Sequence, residues 1–297
     1  MLRRCLESLL HQQIDEALLR MQVIVVDNDV ALSARAVFDD VMGAAGAYVG
    51  CAEPGIPFAR NAAVEAALTL GAYYIAFIDD DEVAPRAWLQ TLFQALVAAE
   101  ADAAQGEVQA VANERDLARR AAEPLSPSPA CEEVESIATC NTLFKAWLVE
   151  PPQALRFDQA MRYTGGSDKD FFMRARKRGA RVVRVRGAPV IEEIAEGRET
   201  LGYAAMRAFA AGNNYHLRIS KNEPAPVAFR RIAGRVIERG AGGLIKVAFS
   251  LVLLLLLQRR QALRQLKRGV ANLSFASGCV TPLVGVRAQP YRALQGA

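Results

Sequence analysis

The chain has 297 residues, 52% of them hydrophobic, which is enough to fill one large domain or two smaller ones. Two histidines and five scattered cysteines without a CxxC pair argue against a Ser-His-Asp triad, a polyhistidine metal site, a structural zinc and a disulfide framework. The net charge of +4 is uneven, because residues 201–297 hold 15 basic and two acidic side chains, or +13, so residues 1–200 carry −9.

Residues 1–200 predict an alternation of helices and strands. Hydrophobic periodicity predicts helices at residues 2–11, 32–42, 58–70 and 87–99. Short apolar runs predict strands at residues 23–27, 47–50, 73–79 and 103–111. Repeated βα alternation is typical of a doubly wound, mostly parallel sheet with helices on both faces, so we expect an α/β fold.

Two of the predicted strands end in acidic residues. One ends in Asp27, which could accept hydrogen bonds from a base or a ribose, and another ends in the acidic run 79–82. Ligands of open α/β sheets bind at the carboxyl ends of strands, and crowded carboxylates repel each other unless a cation neutralises them. Asp79 and Asp81 therefore indicate a divalent metal, Mg or Mn, that holds a phosphate-bearing ligand. A solvated acidic turn is the plainer alternative.

A loop shaped by Gly55 and a following proline leads into the third predicted helix. Arg60 and Asn61 lie near the start of this helix, where a pyrophosphate would meet donors of matching charge. A surface ion pair is the alternative role for Arg60.

Taken together, these residues resemble the family 2 glycosyltransferases, which have the GT-A fold. The resemblance covers residues 2 to about 212 and rests on six segments in order: LRRCLESLLHQ, VIVVDND, GIPFARNAAVEAA, IAFIDDDEVAPRAWL, CNTLF and TGGSDKDFFMRARKRG. It implies a GT-A type α/β fold. It also implies a metal-dependent, inverting transfer of a sugar from a nucleotide diphosphate sugar, with a UDP-sugar favoured, to a saccharide or lipid-linked acceptor.

On the donor side, the resemblance implies that Asp27 contacts the base, Asp79 the nucleotide and Asp81 the metal. Arg60 and Asn61 match a loop that contacts the nucleotide sugar. These five roles are expectations carried over from the family motifs.

On the acceptor side, inversion requires a carboxylate that removes the proton of the acceptor hydroxyl, and Asp168 is the expected base. Asp168 stands near the start of a predicted helix that runs to about residue 178, so capping of that helix is the alternative role. Asn141 could bond sugar hydroxyls or satisfy a strand end. The remaining acceptor-side candidates are Asp170 and the two glycines that permit a tight backbone approach, Gly165 and Gly166.

Three features depart from the family pattern. Ser167 stands where members commonly have Glu. A histidine that often assists the metal has no counterpart near residues 189–193, where Glu192 could substitute, although an exposed loop glutamate is the alternative. Family sequences usually have a strand before the helix that matches 2–11, and without it we expect open edges on two strands.

Two other functions stay open. Residues 79–83 also match the DxDxV motif of haloacid-dehalogenase-like phosphatases, in which Asp79 would attack phosphate, although that motif normally follows the first strand. The third alternative is a degenerate, non-catalytic nucleotide-sugar-binding protein, which the missing strand and Ser167 suggest. Residues 113–135, with several prolines, predict a long loop over the active face.

Residues 201–297 predict a helical tail joined to a catalytic domain at 1–200. Helices are expected at residues 199–217 and 229–239, followed by an apolar run, a basic connection and a second apolar run at 244–257, 258–268 and 270–286. A span needs roughly 20 apolar residues, more than the first run offers. A two-span hairpin would put the catalytic half outside the cell, away from cytoplasmic nucleotide sugars.

The charge of the tail indicates an anionic membrane surface as a partner, since its apolar content fits lipid better than nucleic acid. No secretory signal begins the chain, so we expect a cytoplasmic protein, peripheral or monotopic on the inner face of the membrane. A helix buried against the catalytic domain is the equal alternative for residues 244–257.

Overall fold

The computed structural model describes residues 1–125, 129–194 and 200–290. The described chain divides into two compact units. The first unit holds Met1–Arg162 and Ser167–Ile194, and the second holds Tyr163–Gly166 together with the described residues that follow Ala195.

The first unit alternates helices and strands. Its helices are α1 (Leu2–Leu10), α2 (Arg35–Val41), α3 (Ile56–Thr69), α4 (Trp88–Ala98), α5 (Glu114–Ala121) and α6 (Ser167–Lys177). Its strands are β1 (Val23–Asp27), β2 (Gly46–Gly50), β3 (Tyr74–Phe77), β4 (Glu82–Val83), β5 (Ala103–Gln105), β6 (Val108–Val111), β7 (Ala130–Glu133), β8 (Thr142–Lys145), β9 (Val182–Arg186) and β10 (Val190–Glu193). The α/β fold class is thereby confirmed.

The strands form three sheets with mixed pairing. The largest has the order β3-β8-β5-β9-β7, a second has the order β4-β10-β6, and β1 pairs with β2. Among the described strands three pairs are parallel and four are antiparallel, where the sequence predicts mostly parallel pairs. β8 lies between β3 and β5 and runs antiparallel to both, which accounts for two of the four antiparallel pairs.

Within the described ranges, β1 hydrogen-bonds to β2 alone and β3 to β8 alone. Each of these strands therefore keeps one edge without a strand partner. One of these strands, β1, ends at the candidate functional residue Asp27, and the other, β3, ends two residues before Asp79.

The single strand predicted at 103–111 is wrong, because Gly106 ends β5 and the chain moves to another sheet as β6. A Cβ atom on Gly106 would overlap the carbonyl oxygen of Ala188 and the side-chain amide of Asn141. The backbone passes too close to these groups for any side chain. The strand is therefore interrupted where the two sheets separate.

The long loop predicted at 113–135 is also wrong in its described part, which contains α5 and β7. Asn113 starts α5 by accepting a hydrogen bond from the N–H of Asp116 at 2.9 Å. Arg4 of α1 pairs with Glu193 at 2.9 Å and with Glu114 at 3.2 Å, so α1 connects β10 to α5. Residues 126–128 of the predicted loop lie outside the described residues.

Two large apolar clusters and a small third one fill the first unit. One packs α1 and α4 against the sheets through Leu6, Trp88 and Leu92. The other is aromatic and includes Phe157 and Phe171, whose rings stack with centroids 4.4 Å apart. Burial of such side chains stabilises the fold by about 1.5 to 3 kcal/mol each relative to exposure. The second cluster lies directly under α6 and so fixes the start of that helix.

The second unit consists of α7 (Leu201–Asn222), α8 (Ala225–Leu255) and α9 (Arg259–Val280), followed by a short 3-10 helix at Thr281–Val284. Separate helices at 229–239 and near 244–257 were predicted, but α8 is continuous through three glycines. Glycine costs a helix only about 1 kcal/mol relative to alanine, and Gly243 lies where α8 meets Leu273 of α9. The basic stretch 258–268, predicted as a connection, forms the first turns of α9.

Glycines let α9 approach its neighbours closely. A Cβ atom on Gly212 of α7 would overlap the carbonyl oxygen of Phe275, and one on Gly278 of α9 would overlap that of Phe209. The two backbones are therefore in direct contact at this crossing. No helix in the described part of the chain is both long and apolar enough to cross a bilayer.

Candidate active site

The acidic run 79–82 forms a tight turn between β3 and β4. The N–H of Glu82 donates to the carbonyl oxygen of Asp79 at 3.1 Å, and the Glu82 carboxylate accepts the N–H of Asp79 at 2.9 Å. Glu82 is only 2% exposed. Burial raises the pKa of Glu82 to about 8, with further contributions from the carboxylates of Asp79, Asp81 and Glu192. The buried Glu82 side chain therefore stabilises the backbone of the turn, whereas Asp79 and Asp80 are exposed to solvent.

Glu192 is not in an exposed loop, which corrects the alternative given for it above. It lies on β10 directly opposite Glu82 of β4, and it is only half-exposed. Its charge reaches the acidic turn, because it contributes to the raised pKa of Glu82. The strand pairing between β4 and β10 thus adds one more carboxylate beside the turn.

Three of the other predicted site residues, Arg60, Asp81 and Asp168, act on Asp79. Its side chain is exposed at the surface, yet the protein around it desolvates the carboxylate and raises its pKa to about 6. Arg60 lowers this pKa, while Asp81, Asp80 and Asp168 raise it. Residues from the β3–β4 turn, α3 and α6 therefore lie within electrostatic reach of the Asp79 carboxylate.

Arg60 connects two helices beside this turn. Its Nη1 donates to Oγ of Ser167 at 3.3 Å, and its guanidinium carbon lies 5.7 Å from the centre of the Phe157 ring. Ser167 is buried and is the first residue of α6. The surface ion pair suggested for Arg60 does not appear among these contacts. Ser167, where family members commonly have Glu, instead supplies a neutral partner for Arg60.

Asp168 is the second residue of α6 and is half-buried. Its Oδ1 accepts a hydrogen bond from the N–H of the next residue, Lys169, at 2.8 Å. An N-cap residue usually bonds the N–H two or three positions on, so this contact differs from ordinary capping. Asp168 also lies close enough to Asp79 to raise the pKa of that carboxylate.

Two predicted donor-side residues make extensive contacts within the protein. Asp27 is buried and accepts hydrogen bonds from the N–H groups of Asp29 and Ala34 and from the Tyr48 hydroxyl, at 3.0, 2.8 and 2.7 Å. Asn61 exchanges two hydrogen bonds with the backbone of Phe157, at 2.9 and 2.8 Å. Asp27 therefore orders the loop before α2, and Asn61 holds α3 against the backbone of Phe157.

Two predicted acceptor-side residues are enclosed by the first unit. Asn141 is fully buried: its Nδ2 donates to the carbonyl oxygens of Glu107 and Ala188, and its Oδ1 accepts from the Trp88 indole. These contacts favour the strand-end role over the bonding of sugar hydroxyls. Asp170 is also fully buried, and it pairs with Arg174 at 2.8 Å. It faces the interior of the first unit.

Gly165 and Gly166 adopt φ angles of 76° and 80°, the left-handed region in which glycine is favoured. They belong to the short segment of the second unit. There the side chain of Asn214 donates to the carbonyl oxygen of Thr164 at 2.6 Å. The two glycines therefore form a defined turn immediately before α6.

The loop 51–55 is held by two residues that the sequence reasoning missed. Nδ2 of Asn28 donates to two carbonyl oxygens of this loop at 2.9 and 2.7 Å, and its Oδ1 accepts the N–H of Gly55 at 2.7 Å. Arg162 donates to the Pro54 carbonyl oxygen and to the Glu53 carboxylate. The Asn28 partners lie 23 to 27 residues away and the Arg162 partners 108 or 109 residues away, so neither set of contacts leaves a local signal. The loop leads directly into α3, which carries Arg60.

Carboxylate, rather than thiol, ligands suit the expected metal. Asp79, Glu82 and Cys140 offer ligand atoms within 4.8 Å of one another. Burial raises the pKa of the Cys140 thiol to about 12, and a soft sulfur ligand does not suit Mg or Mn. Burial, followed by the carboxylates of Asp81, Asp80 and Asp168, raises the pKa of Asp79. Asp81 is not in the group of three, but its carboxylate and that of Asp79 offer the oxygen atoms that a hard divalent cation prefers.

An α/β unit with acidic residues gathered at a strand end, beside an arginine and a helix start, is suited to hold a phosphate-bearing ligand. Residues 1–180 match the family model described as glycosyl transferase family 2. This match covers more than half of the chain, so the chain belongs to that family.

The chain is similar to the succinoglycan biosynthesis protein ExoM of Rhizobium meliloti (strain 1021), with 30% identity over 209 residues. The match covers 66% of this chain and 64% of ExoM, so the chain spans less than two thirds of that relative. Crystal structures of S. aureus TarS 1–349 with UDP and with UDP-GlcNAc align with TM-scores of 0.48. Their identities are 14% and 15%, over 95% of this chain and 87% and 88% of TarS.

Proposed function

We propose that the protein transfers a sugar, with inversion, from a nucleotide diphosphate sugar to a saccharide or lipid-linked acceptor. The convergence of Arg60, Asp81 and Asp168 on Asp79 carries this proposal, since it gathers donor-side and acceptor-side groups at one strand end. The expected donor is a UDP-sugar. The name of the relative, a succinoglycan biosynthesis protein, supports polysaccharide biosynthesis as the setting.

On the donor side, Asp79 and Asp81 would hold Mg or Mn, which stabilises the negative charge of the departing diphosphate when bound. Arg60, beside Asp79, supplies a fixed positive charge for the same phosphates. Asp27 would contact the base at the end of β1, where it already orders the loop before α2. Asn61 would act by holding α3 against Phe157, so that Arg60 keeps its position.

On the acceptor side, Asp168 would accept the proton of the acceptor hydroxyl as that oxygen bonds to the anomeric carbon. The nucleoside diphosphate leaves from the opposite face of the sugar, which gives inversion. Asp168 suits this task because it carries a carboxylate at the start of α6, within electrostatic reach of Asp79. Gly165 and Gly166 precede it and would let an acceptor approach the backbone closely.

A donor screen with Mn or Mg, scored by release of nucleoside diphosphate, tests the proposal. Asp168→Asn is expected to lower turnover by about 10² to 10⁴ with donor affinity nearly unchanged, because only the base is removed. Asp40→Asn is the matched control, since Asp40 is exposed on α2. Unchanged turnover in Asp168→Asn would contradict the assignment.

The same screen separates the alternatives. A phosphatase would release inorganic phosphate and become phosphorylated on Asp79, but the family match from residue 1 to 180 supports sugar transfer instead. A degenerate protein would bind a donor in calorimetry and release no nucleoside diphosphate with any acceptor.

The second unit supports a further part of the proposal, a peripheral or monotopic association with the anionic inner face of the cytoplasmic membrane. Its excess of basic residues would attract anionic lipid. Many of its apolar side chains are also exposed, especially along the C-terminal half of α8. Such a location would bring the enzyme to a lipid-linked acceptor.

A further inference from the structure

The turn between α8 and α9 exposes three consecutive leucines. Leu255, Leu256 and Leu257 have 83%, 62% and 80% of their surface exposed. The N–H groups of Leu257 and Gln258 donate to carbonyl oxygens of α8 at 3.0 and 2.9 Å, so the turn has a defined shape. Leu257 has a φ of 59°, a conformation in which glycine or asparagine is usual. The conformation of the turn therefore does not explain why a leucine is found at this position.

Apolar side chains surround the end of α8 instead of forming one face. Ser250 and Leu253 are buried, seven and ten residues after Gly243, which meets α9. The other apolar residues of the same turns are exposed: Phe249, Leu251, Val252, Leu254 and Leu255. A helix that lies flat in a membrane interface has a single apolar face. The end of α8 is therefore suited to enter an apolar phase with its tip first.

Basic side chains follow the leucines directly. Arg259 and Arg260 open α9, Arg264 comes one turn later, and all three are exposed. The sequence contains no Asp or Glu after Glu238. A second copy of the chain would bring like charges together, whereas an anionic partner would complement them. A lipid surface supplies both the negative charge and the apolar phase that the leucines require.

We infer that the α8–α9 hairpin inserts its tip shallowly into an anionic lipid surface. Leu255, Leu256 and Leu257 lie below the phosphate layer, and Arg259 and Arg260 bind the phosphates. The arginines limit the depth, because a guanidinium in hydrocarbon is costly while its flexible stem reaches back to the headgroups. This inference rests on the proposed membrane association and specifies its residues and direction.

A matched pair of variants tests the direction. Leu256 and Leu244 are 62% and 63% exposed, and they lie twelve residues apart, or about 18 Å along a helix. Flotation with phosphatidylglycerol–phosphatidylcholine vesicles is expected to show about tenfold weaker binding for Leu256→Glu, since burial of one leucine contributes that much. Leu244→Glu is expected to change binding by about twofold or less. Equal losses, or no loss in either variant, would overturn the inference.

A second pair of measurements identifies the partner. The double variant Arg259→Gln, Arg260→Gln is expected to lose binding to the anionic vesicles, and neutral phosphatidylcholine vesicles are expected to bind the full chain weakly. Equal binding to both vesicle types would overturn the anionic assignment. A lipid-free dimer that Leu256→Glu dissociates, without vesicle binding, would assign the tip to a second copy instead.

Release of nucleoside diphosphate with a soluble acceptor is measured for every variant and is expected to stay unchanged. Flotation does not depend on turnover, so a failure of the proposed glycosyl transfer would leave the vesicle result interpretable. Conversely, full activity in solution without vesicle binding would refute the membrane insertion and leave the proposed glycosyl transfer intact. Circular dichroism confirms that each variant keeps its helices.

Discussion

The buried carboxylate of Glu82 predicts a specific dependence of stability on pH. Its pKa is raised from 4.5 to about 8, chiefly by burial. The folded protein therefore binds this proton more tightly than the unfolded chain does. Stability is highest below about pH 4.5 with respect to this group, and it falls as the pH rises towards 8. Glu82→Gln removes the titration and can keep the hydrogen bond from the N–H of Asp79.

The size of the effect follows from the exchange of one proton. Within this window the free energy of unfolding can fall by roughly 1 kcal/mol per pH unit, so the total reaches a few kcal/mol at pH 8. That is a large part of an ordinary domain stability of about 5 to 15 kcal/mol. Asp79 acts in the same direction, but its pKa of about 6 confines its contribution to lower pH. The interval between pH 6.5 and 8 therefore isolates Glu82.

Thermal unfolding in chelator, at several pH values from 5 to 8.5, measures this dependence. Glu82→Gln is expected to melt at a higher temperature than the wild type at pH 8 and at nearly the same temperature at pH 5. Glu132→Gln is the control, since Glu132 is exposed on β7. Parallel slopes for the wild type and Glu82→Gln between pH 6.5 and 8 would refute the reasoning.

Four other substitutions test separate contacts. Asp81→Asn is expected to remove the metal dependence of donor binding in calorimetry without changing the melting temperature, and unchanged affinity with Mn would contradict it. Gly106→Ala is expected to destabilise the protein by about 1 to 3 kcal/mol in denaturant titration, because its Cβ meets backbone; a neutral result would mean the contact relaxes freely. Asn28→Ala releases the loop before α3 and is expected to raise donor KM more than it lowers kcat; the reverse would argue against a positioning role. Asp170→Asn leaves Arg174 without its buried partner and is expected to cost roughly 2 to 3 kcal/mol with activity per folded molecule retained, whereas loss of turnover alone would return Asp170 to the acceptor site.

Much of the fold could be predicted because its pattern is local. β1 has the predicted bounds, and α1, α3 and α4 lie within two residues of theirs. The break at Gly106 could not be predicted, since it depends on the approach of Ala188, which is distant in sequence. The continuity of α8 was missed for a related reason. Its glycines look like a helix end until the contact of Gly243 with α9 is known.

The candidate site was predictable to the extent that strand ends and helix starts gather at one edge of a sheet. Asp79, Asp81, Arg60 and Asp168 were predicted in this way, and the last three each act electrostatically on Asp79. The burial of Asn141 could not be foreseen. A polar residue after a strand serves a substrate or the backbone equally well in sequence, and only the carbonyl oxygens around it decide.

The crossing of α7 and α9 through Gly212 and Gly278 gives the second unit a discrete register. A slide of one helix past the other by a single turn would move a side chain into the space that each glycine leaves for a carbonyl oxygen. The two glycines therefore fix the position of α7 and α9 along each other, and a side chain at either one would force the two backbones apart.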